Sequence, residues 1–188
     1  MATAEASKVD VEALQKRVTE KALSEGMDGS IQLAMVDSQS KKVKIGAKEL
    51  TLTTGSFEGK NSATVWKYVF TRLGDEMALL EKIDEAGCEP ELVENAKVQR
   101  LGRIGGRSIH AVRLELVKSS CVGAENDTRK EIDLLLVEEK AGLQKIAELP
   151  LSEAGRAVFK IEKSRILITG SMERSFEWDP KTKKFVER

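Results

Sequence analysis

The chain has 188 residues, of which 40% are hydrophobic and 33% charged, a composition typical of a globular protein that buries a sizeable core. Lysine plus arginine and aspartate plus glutamate each number 31, and this balance disfavours nonspecific binding to nucleic acid or anionic membranes, which needs a basic surplus. Aromatic residues make up only 4%, too few for a base-stacking platform, and no apolar run is long enough to insert into a membrane.

The first predicted element is an amphipathic helix at about residues 9–26. Its apolar positions recur at helical spacing, namely Val11, Leu14, Val18 and Leu23. Gly26 is suited to end this helix, because glycine readily adopts the left-handed conformation of a helix C-cap.

Three short strands are predicted next, at residues 30–37, 42–45 and 49–53. Apolar and polar residues alternate in them, and the threonine-rich composition of the third favours a strand. The last two form a hairpin around residues 46–48, and residues 55–59 are expected to be a loop.

A second helix is predicted at about residues 61–86. Its apolar residues recur at helical spacing, with further apolar side chains widening the stripe: Val65, Trp66, Val69, Phe70, Leu73, Met77, Leu79, Leu80 and Ile83. This helix is the more apolar of the two, so we expect it to pack against a sheet.

The C-terminal half alternates apolar and polar residues between turns, the pattern of a strand meander. Strands are predicted at 92–101, 108–118, 130–138, 143–151, 157–162, 165–169, 172–178 and 183–186. Residues 143–151 also fit a short helix, but Gly142 favours a hairpin there. Residues 179–182 (DPKT) predict a turn across which Trp178 and Phe185 pair.

Together these elements predict an α+β fold, because strand runs follow a helical part without strict alternation. Two main helices (about 9–26 and 61–86) would pack on a largely antiparallel sheet, with the C-terminal half an antiparallel β-meander. Residues 1–188 are expected to form a single α+β domain. A soft boundary near residues 88–92 would separate its helix-bearing part from the meander.

Residues 102–107 (GRIGGR) are the most suggestive motif, because glycines free backbone amides and the two arginines, Arg103 and Arg107, suit an anion. The motif lacks the Lys-Ser/Thr pair of a P-loop, and a strand rather than a helix follows it. A hairpin turn with solvated arginines is therefore the favoured interpretation, and anion binding is the alternative.

His110 is the only histidine, and it lies in line with Val112, Leu114 and Leu116 on a predicted core face. We expect it at the edge of the core with one hydrogen bond. No residue spacing indicates a catalytic group, a metal site or a cofactor, and the acidic pairs, Glu138-Glu139 among them, fit a solvated surface.

Two cysteines, Cys88 and Cys121, both lie in predicted turns or loops. They fit either a disulfide, as exported proteins form, or two unrelated thiols. Residues 1–7 lack the apolar region of a signal peptide, whereas Ala2-Thr3-Ala4 is similar to a cleavage-site remnant. A periplasmic or extracellular location, with the signal peptide absent from this sequence, is thus favoured slightly over a cytoplasmic one.

Function is not readable from these patterns alone. A non-enzymatic binding or protein-interaction domain is favoured, because polar side chains suited to catalysis are missing from the strand faces. Its partner would be a protein or a small molecule, and the oligomeric state stays open. The alternative is a small-ligand-binding or enzymatic domain, with a pocket between sheet and helix near residues 102–107. Its ligand-binding candidates are Arg103, Arg107 and His110.

Overall fold

The structure, a computed structural model, is predominantly β. It describes residues 8–60, 65–73, 76–82, 95–117, 129–151, 157–170 and 172–188. Within them one helix, α1 (Lys8–Ser24), precedes twelve strands in three antiparallel four-stranded sheets, each of which runs in chain order. Sheet 1 contains β1 (Leu33–Ile45), β2 (Lys48–Gly59), β3 (Val65–Leu73) and β4 (Glu76–Lys82). Sheet 2 contains β5 (Asn95–Ile104), β6 (Arg107–Val117), β7 (Arg129–Glu138) and β8 (Leu143–Leu151). Sheet 3 contains β9 (Val158–Glu162), β10 (Arg165–Thr169), β11 (Arg174–Asp179) and β12 (Lys184–Glu187).

The predicted α+β fold with two main helices is wrong, because the described part of 61–86 forms the paired strands β3 and β4. Both faces of sheet 1 are buried here: Tyr68 packs toward α1, whereas Val69 packs toward sheet 2. A strand buried on both faces loses its apolar–polar alternation, and its apolar residues then also match helical spacing. The aromatic and β-branched residues of β3 were the signal for a strand.

The sheets stack face to face, with sheet 2 in the middle. One apolar core lies between sheets 1 and 2 and a second between sheets 2 and 3. Strand β7 contributes to both cores, because Leu134 and Leu136 face sheet 1 while Leu135 and Val137 face sheet 3. The layers are therefore α1, sheet 1, sheet 2 and sheet 3, in the order of the chain.

Helix α1 covers the outer face of sheet 1, where a third core forms around Val18, Phe57 and Tyr68. The first predicted helix is thus confirmed as an amphipathic element. Gly26 ends it as expected, with a φ of 97°. The N–H of Met27 donates to the carbonyl of Ala22 at 2.9 Å, a bond of the Schellman motif that satisfies a helix-end carbonyl.

In sheet 1, the hairpin predicted around 46–48 is confirmed, with Ile45 paired to Lys48 across the turn. The strands predicted at 30–37 and 42–45 are one continuous strand, β1, and residues 55–59 belong to β2 rather than to a loop. Gly46 has a φ of 59°, which suits the first central position of a type II′ turn.

The strand meander of the C-terminal half is confirmed. Strand β8 rules out the short helix at 143–151. The rings of Trp178 and Phe185 pair across β11 and β12 with centroids 5.3 Å apart. Asp179 forms the predicted turn by accepting the N–H of Lys181 at 2.9 Å.

Cys88, Cys121 and the boundary predicted near 88–92 lie outside the described residues, so the disulfide stays a prediction. Among the residues that are described, no helix combines the length and apolar character that crossing a membrane requires.

Candidate functional site

A cleft of about 470 Å³ lies where the β1–β2 turn of sheet 1 meets one end of sheet 2. The turn contributes Gly46, Ala47 and Lys48, and the rest of the lining comes from the ends of β5, β6 and β7 and the turns beside them. This volume falls within the range of small-molecule sites. The predicted pocket between a sheet and a helix is thus replaced by a cleft between two sheets.

Two cross-strand rows of sheet 2 form the floor of the cleft. Arg103 pairs with Ser108, which pairs with Glu138, and one row deeper Arg100 pairs with His110. Directly paired residues in an antiparallel sheet point to the same face, so these five side chains share the face toward sheet 1.

A β-bulge places both arginines on this face. Arg100 and Arg103 are three positions apart, and strict alternation would send them to opposite faces. The register of β5 shifts between Arg100 and Gly102, and the extra residue restores the common orientation. The bulge therefore brings a second guanidinium group to the cleft.

His110 lies at the edge of the core, as predicted, and is 2% exposed. Its Nε2 lies 3.2 Å from Oε2 of Glu138. Glu138 accepts a second hydrogen bond, from the N–H of Ala47 to Oε1 at 3.2 Å. The acidic side chain expected at a solvated surface instead ties the β1–β2 turn to β6.

The pKa of Glu138 lies below its ordinary value, chiefly because the Ala47 N–H bonds the carboxylate, with further lowering from His110 and Lys48. An ionised carboxylate only accepts hydrogen bonds, so Nε2 of His110 is the donor. The remaining ring nitrogen, Nδ1, is buried without a hydrogen-bond partner among the described residues.

Arg100 and Arg103 are both exposed, and neither forms an ion pair with any residue in the described ranges. Lys48 and Lys140 add two further positive charges to the lining. The acidic side chains of the lining are Glu138, which is bound as above, and Glu139. The two uncompensated guanidinium groups therefore give the cleft a positive excess.

Arg107 does not share the cleft with Arg103 and His110. Arg107 directly precedes Ser108 on β6, so its side chain points to the opposite face of the sheet. There its Cζ lies 3.8 Å from the centre of the Trp178 ring. Its Nε donates to Oε1 of Glu139 at 2.9 Å. Arg107 thus anchors the rim of the cleft to sheet 3 and neutralises one acidic neighbour.

Gly105 and Gly106 of the 102–107 motif form the hairpin turn that the favoured interpretation predicted, whereas Gly102 lies in β5 at the bulge. Gly105 and Gly106 have φ values of 57° and 80°, the positive values that a type I′ hairpin needs. This motif places no helix N-terminus at the cleft. The group of the motif that can bind an anion there is the side chain of Arg103.

Sequence reasoning missed Arg100, Ser108, Glu138 and the two lysines as parts of one site. A glycine inside a strand pattern often marks a bulge, so Gly102 was the available signal for Arg100. Glu138 continues the alternation of Leu134 and Leu136, which placed it on a core-facing row. Which residues of β6 lie opposite Leu136 and Glu138 depends on the strand register, which composition does not specify.

The side chains of the cleft can interact with a ligand through charge and hydrogen bonding. Nδ1 of His110 is buried and its Nε2 is hydrogen-bonded to Glu138, so the ring helps to position the carboxylate that lines the cleft. Among the described residues, no three His, Cys, Asp or Glu side chains are grouped as a metal ion would require.

Large exposed apolar side chains in the described ranges lie on four different elements: Leu23, Val36, Val98 and Val158. Single exposed apolar residues are normal on protein surfaces.

Comparison of the chain with protein-family models, with curated proteins and with solved structures found no match in any of the three. The function is therefore argued from the cleft itself.

Proposed function

We propose that the protein is a non-enzymatic binding domain whose cleft holds a small anionic molecule. The observation that carries this proposal is the pair of guanidinium groups, Arg100 and Arg103, directed to one face of β5 without an acidic partner among the described residues. Guanidinium groups bind carboxylate and phosphate through paired, charge-assisted hydrogen bonds. An unpaired couple at the wall of a cleft supports anion binding.

The rest of the lining agrees with an anionic ligand. Lys48 donates to the carbonyl of Lys140 at 3.0 Å, which orients its amine across the cleft without cancelling its charge. The Ser108 hydroxyl lies between Arg103 and Glu138 in its row and supplies a further donor.

A non-enzymatic role is favoured because the cleft has no activated nucleophile in the described residues. His110 is engaged by Glu138 through one nitrogen and buried at the other. Activation of a serine would need an accessible ring nitrogen within hydrogen-bond reach of the hydroxyl.

The test is titration of the wild-type protein with methyl phosphate and with succinate, followed by calorimetry and by NMR of the His110 ring and the Ala47 amide. Because His110 is the only histidine, its ring signals need no assignment. We expect saturable binding of at least one of the two anions, with shifts at both reporters.

The double variant Arg100→Gln/Arg103→Gln should weaken that binding at least about tenfold, since each charge-assisted hydrogen bond is worth more than a neutral one. The matched control is Arg17→Gln, which removes an exposed arginine from α1 on the outer side of sheet 1. Equal loss in the control, or unchanged binding in the double variant, would overturn the proposal.

A further inference from the structure

The two ends of the cleft floor have opposite chemistry. Arg103 on β5 and Glu138 on β7 are the ends of one cross-strand row, with Ser108 of β6 between them. Neighbouring strands lie about 4.8 Å apart, so the backbones of Arg103 and Glu138 are about 9.6 Å apart. A simple anion on the arginine end does not reach the carboxylate end.

The carboxylate end can accept hydrogen bonds from a ligand. Glu138 is kept ionised, and each of its oxygens accepts one hydrogen bond, from Ala47 and from His110. A carboxylate has about four acceptor positions, so one position on each oxygen has no donor among the described residues. Lys48 already sets a positive charge near this carboxylate, which disfavours a ligand ammonium group and favours hydroxyl groups.

The arginine end matches a doubly charged group. Arg100 and Arg103 contribute two positive charges that no described acidic residue neutralises. A phosphate monoester carries a charge of about −1.5 to −2 at neutral pH, whereas a single carboxylate carries a charge of only about −1.

The geometry points to a hydroxylated phosphate monoester, such as a sugar phosphate, as the class of ligand. Its phosphate binds Arg100 and Arg103, and its hydroxyl groups donate to Glu138. This inference rests on the proposed function, because it assigns the chemistry of the same anion-binding cleft.

The experiment compares the affinities of methyl phosphate, glucose 6-phosphate and glucose for the wild-type protein by calorimetry. We expect glucose 6-phosphate to bind at least about tenfold more tightly than methyl phosphate, because hydrogen bonds to a charged acceptor are stronger than neutral ones. Glucose alone should bind more weakly than either phosphate, since it leaves both arginines unpaired.

The variant Glu138→Gln separates the two ends. It replaces one acceptor oxygen by an amide group of the same size, so the preference for glucose 6-phosphate should fall to about threefold or less. The variant also removes a negative charge, so methyl phosphate should bind at least as well as it does to the wild type.

Equal binding of methyl phosphate and glucose 6-phosphate to the wild type would overturn this inference while leaving anion binding intact. So would a preference that survives in Glu138→Gln. Tighter binding of succinate than of either phosphate would also overturn it, in favour of a dicarboxylate. If none of these anions binds, the proposed function fails as well. The wild-type comparison decides the matter even if Glu138→Gln does not fold.

Discussion

Arg113 and Asp133 face each other across β6 and β7 and are joined by two hydrogen bonds. Nε of Arg113 donates to Oδ1 of Asp133 at 2.9 Å, and Nη2 donates to Oδ2 at 2.8 Å. Asp133 is 1% exposed, whereas the arginine side chain keeps partial access to water. The hydrogen bonds to Asp133 raise the pKa of Arg113, so this guanidinium stays charged.

We expect Asp133→Ala to lower the free energy of unfolding by about 3 kcal/mol, because it leaves a half-buried guanidinium without its partner. The double variant Arg113→Met/Asp133→Leu should recover more than half of that loss, since apolar side chains of similar volume often replace an ion pair well. Chemical denaturation of the single and double variants measures both. A single variant within about 0.5 kcal/mol of the wild type would contradict a stabilising role for the pair.

His110→Gln tests whether the histidine is structural. The variant loses the ring that fills the core edge and weakens the hydrogen bond to Glu138, so the free energy of unfolding should fall by roughly 1–2 kcal/mol. The affinity for methyl phosphate should change by less than about threefold, because the arginines carry phosphate binding. Unchanged stability together with lost affinity would make His110 a direct ligand group instead.

Gly46→Ala tests the close approach of the β1–β2 turn to sheet 2. A Cβ at Gly46 would collide with Oε2 of Glu138, and the φ of 59° strains any residue other than glycine. Gly26→Ala is the control, since its φ of 97° also strains a residue with a Cβ but that Cβ would meet no atom within 4 Å. We expect Gly46→Ala to be the more destabilising by about 1–2 kcal/mol in thermal or chemical unfolding. Equal effects would mean that the turn shifts freely away from Glu138.

Tyr68, the only tyrosine, gives an optical probe of the contact between α1 and sheet 1. Its hydroxyl donates to Oε2 of Glu25 at 3.3 Å, and burial, followed by the charge of Glu25, raises the pKa of the phenol above its ordinary value of 10.0. A raised pKa means that the contribution to stability is present below pH 10.0 and is lost as the pH rises further.

In an alkaline titration we therefore expect phenolate absorbance to appear only together with unfolding, at a pH above the ordinary pKa. Tyr68→Phe should lower the free energy of unfolding by about 1 kcal/mol at neutral pH. The difference in stability between this variant and the wild type should become smaller at high pH. Phenolate absorbance near the ordinary pKa in a still folded protein would show that Tyr68 is open to solvent.

The turns and the meander could be predicted because their determinants are local. Gly105 and Gly106 supply positive φ values, and Asp179 with Pro180 specifies the last hairpin wherever the strands go. Strands β3 and β4 were harder to predict, because burial on both faces by α1 and sheet 2 gives their apolar residues a helical spacing that outweighs the aromatic and β-branched signal of β3. Burial on two faces is a property of the stack and not of the segment.

The candidate site also combines residues that the sequence reveals locally with residues that depend on tertiary contacts. Arg103 and His110 were identified because an arginine in a glycine-rich motif and a lone histidine stand out individually. Lys48 and Glu138 acquire a role only when the β1–β2 turn docks on sheet 2, a contact between residues 91 positions apart in the chain. Because of the same docking, the cleft lies between two sheets, whereas the predicted pocket lay between a sheet and a helix.

The order of the layers has a consequence during protein synthesis. Each sheet is one continuous length of chain, so the ribosome releases α1 and sheet 1 first, then sheet 2 and finally sheet 3. At a synthesis rate of about 5–20 residues per second, sheet 2 remains without its second covering layer for a few seconds. During that interval one of its faces, including Ile109, Leu135 and Leu149, is bare apolar surface on a nascent chain. The moment of greatest risk of aggregation is thus set by strands β9 to β12, and chaperone capture should be strongest just before these strands emerge.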